Sequence, residues 1–524
     1  MKYLMAIDAG TGSIRVVLFD LAGKQVAFSS REWTHLSEEG ISSSMRFDCD
    51  ANWKLTISCI KDITSKIDPK DIISLSSTSM REGIVLYDKD GKELWAVANV
   101  DARAGEEVKY LKEHFNGIEE QFYKISGQTF ALGALPRLLW LKNHKKDIYD
   151  KVAKITMIND WILYKLSGVF SSEPSNAGTS GIFSLKKRDW VSSMAKETGL
   201  KNDIFPPCFE PGTVLGKVSK LVSKECGLST FTKVVVGGGD VQLGSAGLGV
   251  VEMGDVAVLG GSFWQQIVNI RDALPPKDMS IRVNPHVIKG LSQAEGITFF
   301  SGLIMRWFRD AFCDKEKEEA IKRGIDAYAV LEEKAKSVPV GSNGIIPIFS
   351  DVMNYSKWYH ASPSFLNLSI DPSVCNKASM FRSLEENAAI VSSLNLEKIK
   401  EFTGVDFKRI IFAGGAGKGE LWSQILSDVT GCEVVVPKVK EATALGAAMA
   451  AGVGAGVYKD LKTAAKEIVV WEKTFKPNLE NKKIYDDIKQ NWQKIYKKEL
   501  KLVDEGLTKS MWKAPGIENK KTTI

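Results

Sequence analysis

Asp240 closes the run Val234-Val235-Val236-Gly237-Gly238-Gly239-Asp240. A carboxylate delivered at a strand end can take a proton or hold a metal where it lines a cleft. Three β-branched residues fit a buried strand, and three glycines remove every side chain where a backbone or ligand must come close. A glycine-rich turn capped by Asp fits the same letters, so the other chemistry-bearing stretches have to decide. In Asp8-Ala9-Gly10-Thr11-Gly12-Ser13 the backbone N–H groups can form an anion-binding nest, and Thr11 and Ser13 add hydroxyl donors. Asp8 beside that nest suits Mg²⁺, an ion that keeps most of its hydration. Gly260-Gly261-Ser262 is a second turn of this kind, and Gly414-Gly415-Ala416-Gly417 offers bare backbone to a flat ring or a phosphate. Met80-Arg81-Glu82-Gly83 and Asp101-Ala102-Arg103 each present an arginine with a carboxylate, as a pocket for hydroxyl groups requires, although charged strand ends are common on surfaces.

The elements that must position these groups read as two halves. Tyr3 to Ile7 and Ile14 to Phe19 are strands on either side of the first turn. Trp53 to Ile67 has helical spacing, Ile72 to Ser76 reads as a strand that delivers Arg81 and Glu82, and Trp95 to Val100 as one that delivers Asp101. Val234 to Asp240 ends the first half, and a small-residue helix is expected from Gln242 to Gly249. The second half repeats the opening: Asp255 to Leu259, the glycine-hydroxyl turn, then Phe263 to Asn269. Two such hairpins point to a duplicated fold, with a cleft that lets both turns face one polyphosphate. Helices are expected over Gly302 to Phe312, Asp314 to Lys336, Leu384 to Leu394, Glu420 to Thr430 and Ala442 to Gly454, and a charged helical region from 457 to about Leu502. Asn519 to Ile524 reads as a disordered end.

Two familiar phosphate motifs fail. Gly10-x-Gly12-x-x-Arg15 lacks the third glycine of a dinucleotide fingerprint, and a strand rather than a helix follows it. Gly417-Lys418 is followed by Gly419 where a P-loop needs Ser or Thr, and Phe412 stands at that loop's first glycine.

At 524 residues the chain exceeds one ordinary core, and a net charge of +6 from 70 basic and 64 acidic residues is too mild to indicate nucleic acid. Seven scattered cysteines form no Cys-x-x-Cys pair, which argues against a disulfide framework or structural zinc and for a reducing compartment. No stretch approaches the length of a membrane span, and Met1 to Ile7 runs straight into a strand without a signal-peptide pattern. A cytoplasmic location is therefore expected.

Gly414 to Gly431, with its Gly-Gly turn and Trp422-x-Gln424-x-x-x-Asp428 helix, followed by Val434 to Pro437, resembles the C-terminal signature of the FGGY family of carbohydrate kinases. Glu441 to Ala448 is similar to the segment that follows there, Asp8 to Arg15 to the first phosphate turn, and Gly239-Asp240 to the catalytic segment. The resemblance covers nearly the whole chain. It implies an α/β fold of two actin-like (ribonuclease H-like) ATPase domains, residues 1–245 and 246–524, with the active site in the interdomain cleft. It implies ATP and Mg²⁺, with Asp240 as the base and Asp8 and Asp240 near the metal. The nucleotide set becomes Thr11, Gly12, Ser13, Arg15, Gly260, Gly261, Ser262, Gly302, Arg306, Gly414, Gly415 and Gly419. The substrate set becomes Arg81, Glu82, Asn99, Asp101, Gln242 and Trp264.

Four departures bear on the substrate. Asn99 stands where many members have a Trp that packs on the sugar, and so offers hydrogen bonds in place of an apolar wall. Gly261 replaces a common Thr, Arg137 a common Lys, and Gln242 comes one residue later than in glycerol kinases. The expected partner is thus a small hydroxylated carbonyl compound. A pentulose, erythritol or glycerol is the alternative within the family, and an actin-like ATPase without acceptor the alternative outside it. A homodimer stays open, no regulatory protein is identified, and neither nucleic acid nor a membrane is expected.

Overall fold

The computed structural model describes residues 1–271, 275–355 and 359–515; the expectation for Asn519 to Ile524 lies outside them. The first half is built on β1 (Tyr3–Ala9), β2 (Ser13–Asp20), β3 (Gln25–Glu32), β4 (Ile72–Ser79) and β5 (Lys233–Gly239), the second on β6 (Val256–Gly260), β7 (Trp264–Ile270), β8 (Arg282–Pro285), β9 (Ser292–Thr298), β10 (Arg409–Ala413) and β11 (Glu433–Pro437). Among the described residues one sheet runs β5-β4-β1-β2-β3, with Val214–Lys217 added beside β5. The other runs β8-β9-β7-β6-β10-β11, with Trp471–Phe475 added beside β11. In each, three strands form an antiparallel meander and two more join in parallel on the far side of the first. The order β3-β2-β1-β4-β5 is thus repeated as β9-β7-β6-β10-β11.

Eight helices matter to the site: α1 (Cys49–Thr64), α2 (Asp240–Gly247), α3 (Ser301–Phe312), α4 (Ala327–Ala335), α5 (Lys377–Thr403), α6 (Glu420–Thr430), α7 (Ala442–Ala455) and α8 (Leu479–Asp504). α1 packs Trp53, Ile57 and Ile60 on one face of the first sheet. α7 covers the other face: Ala444, Leu445, Ala447 and Ala448 cluster with Leu4, Ala6, Val17 and Phe19. A helix late in the chain therefore lies on the sheet that opens it. α7 also crosses α2 at backbone contact, since a Cβ on Gly446 would lie 1.9 Å from the Leu243 carbonyl oxygen and one on Gly247 2.0 Å from that of Ala442. No larger side chain fits that crossing.

The charged region after 457 is not continuously helical. A helix at Leu461–Ile468 gives way to the edge strand Trp471–Phe475 before α8. That strand has no buried apolar face and takes its shape from pairing with β11, so periodicity could not announce it. Asp314 to Lys336 likewise divides at Gly324, which has a positive φ, into Asp314–Arg323 and α4.

Candidate active site

Each of the two meanders bends through a glycine-hydroxyl turn. The first turn leaves Thr11 and Gly12 exposed, while the Trp33 indole N–H donates to the Gly10 carbonyl oxygen at 3.0 Å and braces the loop from beneath. Asn99 reaches this turn too, its amide donating to Thr11 Oγ1 at 3.0 Å. The second turn is braced by α3, whose Gly302 and Leu303 N–H groups donate to the Ser262 carbonyl oxygen. A Cβ on Gly302 would lie 2.2 Å from the Gly261 oxygen, which is why glycine opens this helix. Gly414, at a φ of 93°, lets its own turn touch Gly260, where a Cβ would meet the carbonyl oxygen at 2.7 Å. Beside these turns lies a cavity of about 450 Å³ bordered by Gly260, Gly261, Ser262, Gly302, Arg306, Gly415 and Gly419. Met305, Tyr328, Glu332, Phe381, Glu385 and Trp422 complete much of its wall. Gly414 is not among the bordering residues; it shapes the turn from behind.

Asp8 and Asp240 face each other at the seam. Asp240 opens α2 rather than preceding it, and its Oδ1 accepts from the Val241 N–H at 2.8 Å. The glycines before it are required by crowding: a Cβ on Gly237 would lie 1.8 Å from the Ser77 carbonyl oxygen. The Asp240 side chain keeps 36% of its surface open. Lost solvation, chiefly, with Arg81 opposing and Glu82 and Glu295 adding repulsion, pushes its pKa up to about 6. Burial pushes Asp8 up to about 7, with Arg15 opposing and Asp240 and Glu441 adding to the rise. Arg15 itself pairs with Glu441 at 3.2 Å, joining β2 to the start of α7. Two nearby carboxylates with raised proton affinity, Asp240 adding to the rise at Asp8, form a site that a divalent cation would relieve. Among the described residues no group of three or more His, Cys, Asp or Glu could hold a metal. A pair of carboxylates is the protein share Mg²⁺ takes where phosphates and water supply the rest.

The polar groups beside Asp240 come from both halves. Arg81 Nε lies 3.8 Å from Asp240, and Arg81 Nη1 donates to both oxygens of Glu295 at 2.6 and 2.9 Å. Glu295 also accepts from Gln242 at 2.9 Å and Asn284 at 2.6 Å, and is fully buried. Glu82 pairs with Arg282, which stands directly opposite Glu295 on the β8–β9 ladder. The two ion pairs are therefore reciprocal: Arg81 and Glu82 from the first half hold Glu295 and Arg282 from the second. A small pocket follows, lined by Glu82, Gln128, Thr129, Thr179, Arg282 and Tyr355. Glu82 sits there at a φ of 62°, a strained backbone for a residue with a side chain.

Arg81, Glu82, Gln242 and Asp240 are thus brought together, while two expected substrate residues are not. Asp101 is buried with both oxygens on Arg103, at 2.9 and 3.0 Å, and accepts from the Met45 N–H as well. Arg103 is itself clamped between the rings of Trp95 and Trp140. Nothing of Asp101 is left for a ligand. Trp264 lies in the second core, at 4.7 Å from Trp422 and 5.0 Å from Phe412 between ring centroids. At the start of β7 its side chain points to the core side of the sheet, because the neighbouring turn residues already occupy the cleft side. Sequence reasoning missed Glu295, Arg282, Gln128 and Tyr355. The available signal was alternation: Arg282 and Asn284, like Gln293 and Glu295, are polar residues two apart on strands buried throughout.

Two sheets of one repeated order, each with a glycine-hydroxyl turn, a cavity beside the second turn, and the carboxylates Asp8 and Asp240 close enough to interact define the actin-like ATPase fold. The xylulose kinase of Lactobacillus acidophilus superimposes with a TM-score of 0.84 over 94% of this chain and 98% of its own, at 21% identity. The glycerol kinase of Plasmodium falciparum does so with 0.81 over 95% and 98%, at 18% identity. The N-terminal domain of the FGGY family of carbohydrate kinases matches residues 3–247 and the C-terminal domain residues 270–455. The chain belongs to this family, and is a phosphotransferase acting on a hydroxyl group. A protein named autoinducer-2 kinase, from Enterobacter sp. strain 638, is 56% identical over 520 residues, 99% of this chain and 98% of its own.

Proposed function

We infer that the chain transfers the terminal phosphoryl group of ATP to the terminal hydroxyl of autoinducer-2, in its linear dihydroxypentanedione form. The full-length identity with proteins of that name carries this reading. Asp240, whose side chain stays partly open beside Arg81, takes the proton of the attacking hydroxyl. Asp8 and Asp240 would hold Mg²⁺, which would neutralise phosphate charge when bound. Thr11, Gly12, Ser13, Gly260, Gly261 and Ser262 present N–H and hydroxyl donors to the phosphates, since phosphoryl transfer is chiefly a matter of positioning and charge. Gly302, Arg306, Gly415 and Gly419 border the cavity that takes the nucleoside.

Arg81, Gln242 and Asn99 remain on the acceptor's side of the seam. Arg81 keeps its place by the bond to Glu295, so its Nε is left to face Asp240 and an acceptor oxygen. Arg282, held by a hydrogen bond to the Gln128 side-chain oxygen at 2.9 Å, supplies donors for the dicarbonyl end in the adjoining pocket. Among the described residues no helix is long and apolar enough to cross a membrane, in keeping with a cytoplasmic acceptor. The test is ATP consumption with dihydroxypentanedione beside xylulose, ribulose, erythritol and glycerol. A preference of at least about tenfold in kcat/KM for the dicarbonyl is expected. Equal or better use of any of the others would overturn the acceptor assignment and leave the family intact.

A further inference from the structure

The cavity beside the second glycine turn has the volume of an ordinary ligand site, and one of its lining groups has an unmet need. Glu385, on α5, is fully buried, and neither of its carboxyl oxygens has a hydrogen-bond partner in the protein. Native proteins leave few such groups, and those they leave call for a ligand or water. Next to it stands Glu332, on α4. Its carboxylate occupies the room that a side chain at residue 419 would take, since a Cβ on Gly419 would lie 2.0 Å from Glu332 Oε1. Glu332 lies against the first turn of α6, where the Leu421 and Trp422 backbone favours its charged form, and α6 has no capping side chain of its own.

Burial, with Glu332 adding repulsion, raises the proton affinity of Glu385 well above the usual carboxylate range. With its O–H turned to Glu332, the carboxyl leaves one carbonyl oxygen as an acceptor. Phe381, Tyr328 and Trp422 line the cavity around it, and the Trp422 indole N–H is already engaged by the Glu385 main-chain oxygen at 3.0 Å. A planar ring between aromatic walls, carrying a donor at its edge, satisfies this arrangement. A ring that presents an oxygen at the same edge does not.

We propose that Glu385, held in place by Glu332, reads the base of the phosphoryl donor by accepting a hydrogen bond from the exocyclic amino group of a 6-aminopurine, and so selects adenine over 6-oxopurines. This rests on the cavity being the nucleotide site. A site built to pair with a particular N–H discriminates strongly against an analogue that lacks it, because its own buried group is then stranded.

Kinetics of the unaltered enzyme with ATP and with inosine triphosphate, which carries an oxygen in place of the amino group, give the first test. A KM for the inosine nucleotide at least about tenfold higher is expected. Glu385→Gln retains a carbonyl acceptor and an N–H for Glu332, so it should preserve the preference, whereas Glu385→Met should bring the two KM values within about twofold of each other. Equal use of the two donors by the unaltered enzyme, or an unchanged ratio in Glu385→Met, would overturn the inference. If Glu385→Met does not fold, the comparison on the unaltered enzyme decides alone. Failure of ATP itself to serve as donor would instead overturn the functional reading, and this inference with it.

Discussion

Replacing Glu295 by Met tests the seam most directly. The change removes the partner that takes two hydrogen bonds from Arg81 and one each from Gln242 and Asn284. Both members of the ion pair are buried, at 4% and 0% side-chain exposure. Removing one partner of such a pair costs about 3–5 kcal/mol, mostly because the other charge is stranded. Asp240, at 3.8 Å from Arg81 Nε, offers the stranded guanidinium a second carboxylate, so the cost should fall near about 3 kcal/mol. The same move would draw Arg81 onto the base and lower kcat. Replacing Arg81 and Glu295 together by Met removes both charges and keeps apolar volume. The double variant should therefore be more stable than Glu295→Met by at least ~1 kcal/mol while remaining inactive. Urea denaturation midpoints of parent, singles and double, with kcat for each, give the cycle. Strict additivity of the two single losses, or a Glu295→Met variant as stable and active as the parent, would refute the reasoning.

Asp240→Asn should lower kcat by about 10²- to 10⁴-fold while a nucleotide titration shows affinity nearly unchanged; turnover at the parental rate would remove Asp240 as the base. Gly302→Val forces a side chain to within 2.2 Å of the Gly261 oxygen and must displace the second turn, so the KM for the nucleotide should rise by about tenfold or more. His286 is buried and neutral, with Nδ1 accepting from the Ile288 N–H at 2.9 Å, and burial lowers its pKa to about 3. Between pH 6.5 and about 3 the unfolded chain binds a proton there that the folded chain refuses, so this residue makes stability fall as pH falls through that window. Asp8 and Glu173, each raised to about 7, contribute the opposite slope over part of it. The informative measurement is the difference in thermal midpoint between parent and His286→Gln at pH 7.5 and 5.0. It should shift in favour of the variant at the lower pH.

The parts legible in the sequence are those where local chemistry and position coincide. β1, the glycine turn and β2 could be read because a turn that must leave N–H groups free needs glycine and small hydroxyl residues in consecutive places. α6 could be read because its apolar stripe has helical period and Gly431 ends it at a positive φ. Asp101 and Trp264 failed because motif position says which strand end a residue occupies and not which way it faces. Arg103 takes Asp101 only because Trp95 and Trp140 hold that guanidinium where it lies. Trp140 lies some way along the chain from Asp101-Ala102-Arg103, so the sequence shows the pair but not that it is buried and closed to a ligand. Glu295 was hidden for the related reason that a buried acid is indistinguishable in sequence from an exposed one until its partners are known.

The reciprocal ion pairs give a physical reason for splitting the site between two copies of one fold. A single sheet can present an arginine and a glutamate at one strand end, but adjacent residues point apart and cannot satisfy each other when buried. A second sheet that presents the opposite order, Glu295 facing Arg81 and Arg282 facing Glu82, neutralises both charges without spending any group on its neighbour. Arg81 is thereby kept buried, charged and aimed at Asp240, which neither half achieves alone. The same logic explains why α2 and α7 cross at backbone contact. The pairs survive burial only if the halves meet in one register, and a crossing that excludes every side chain larger than hydrogen at Gly247 and Gly446 fixes that register along the helix that Asp240 begins.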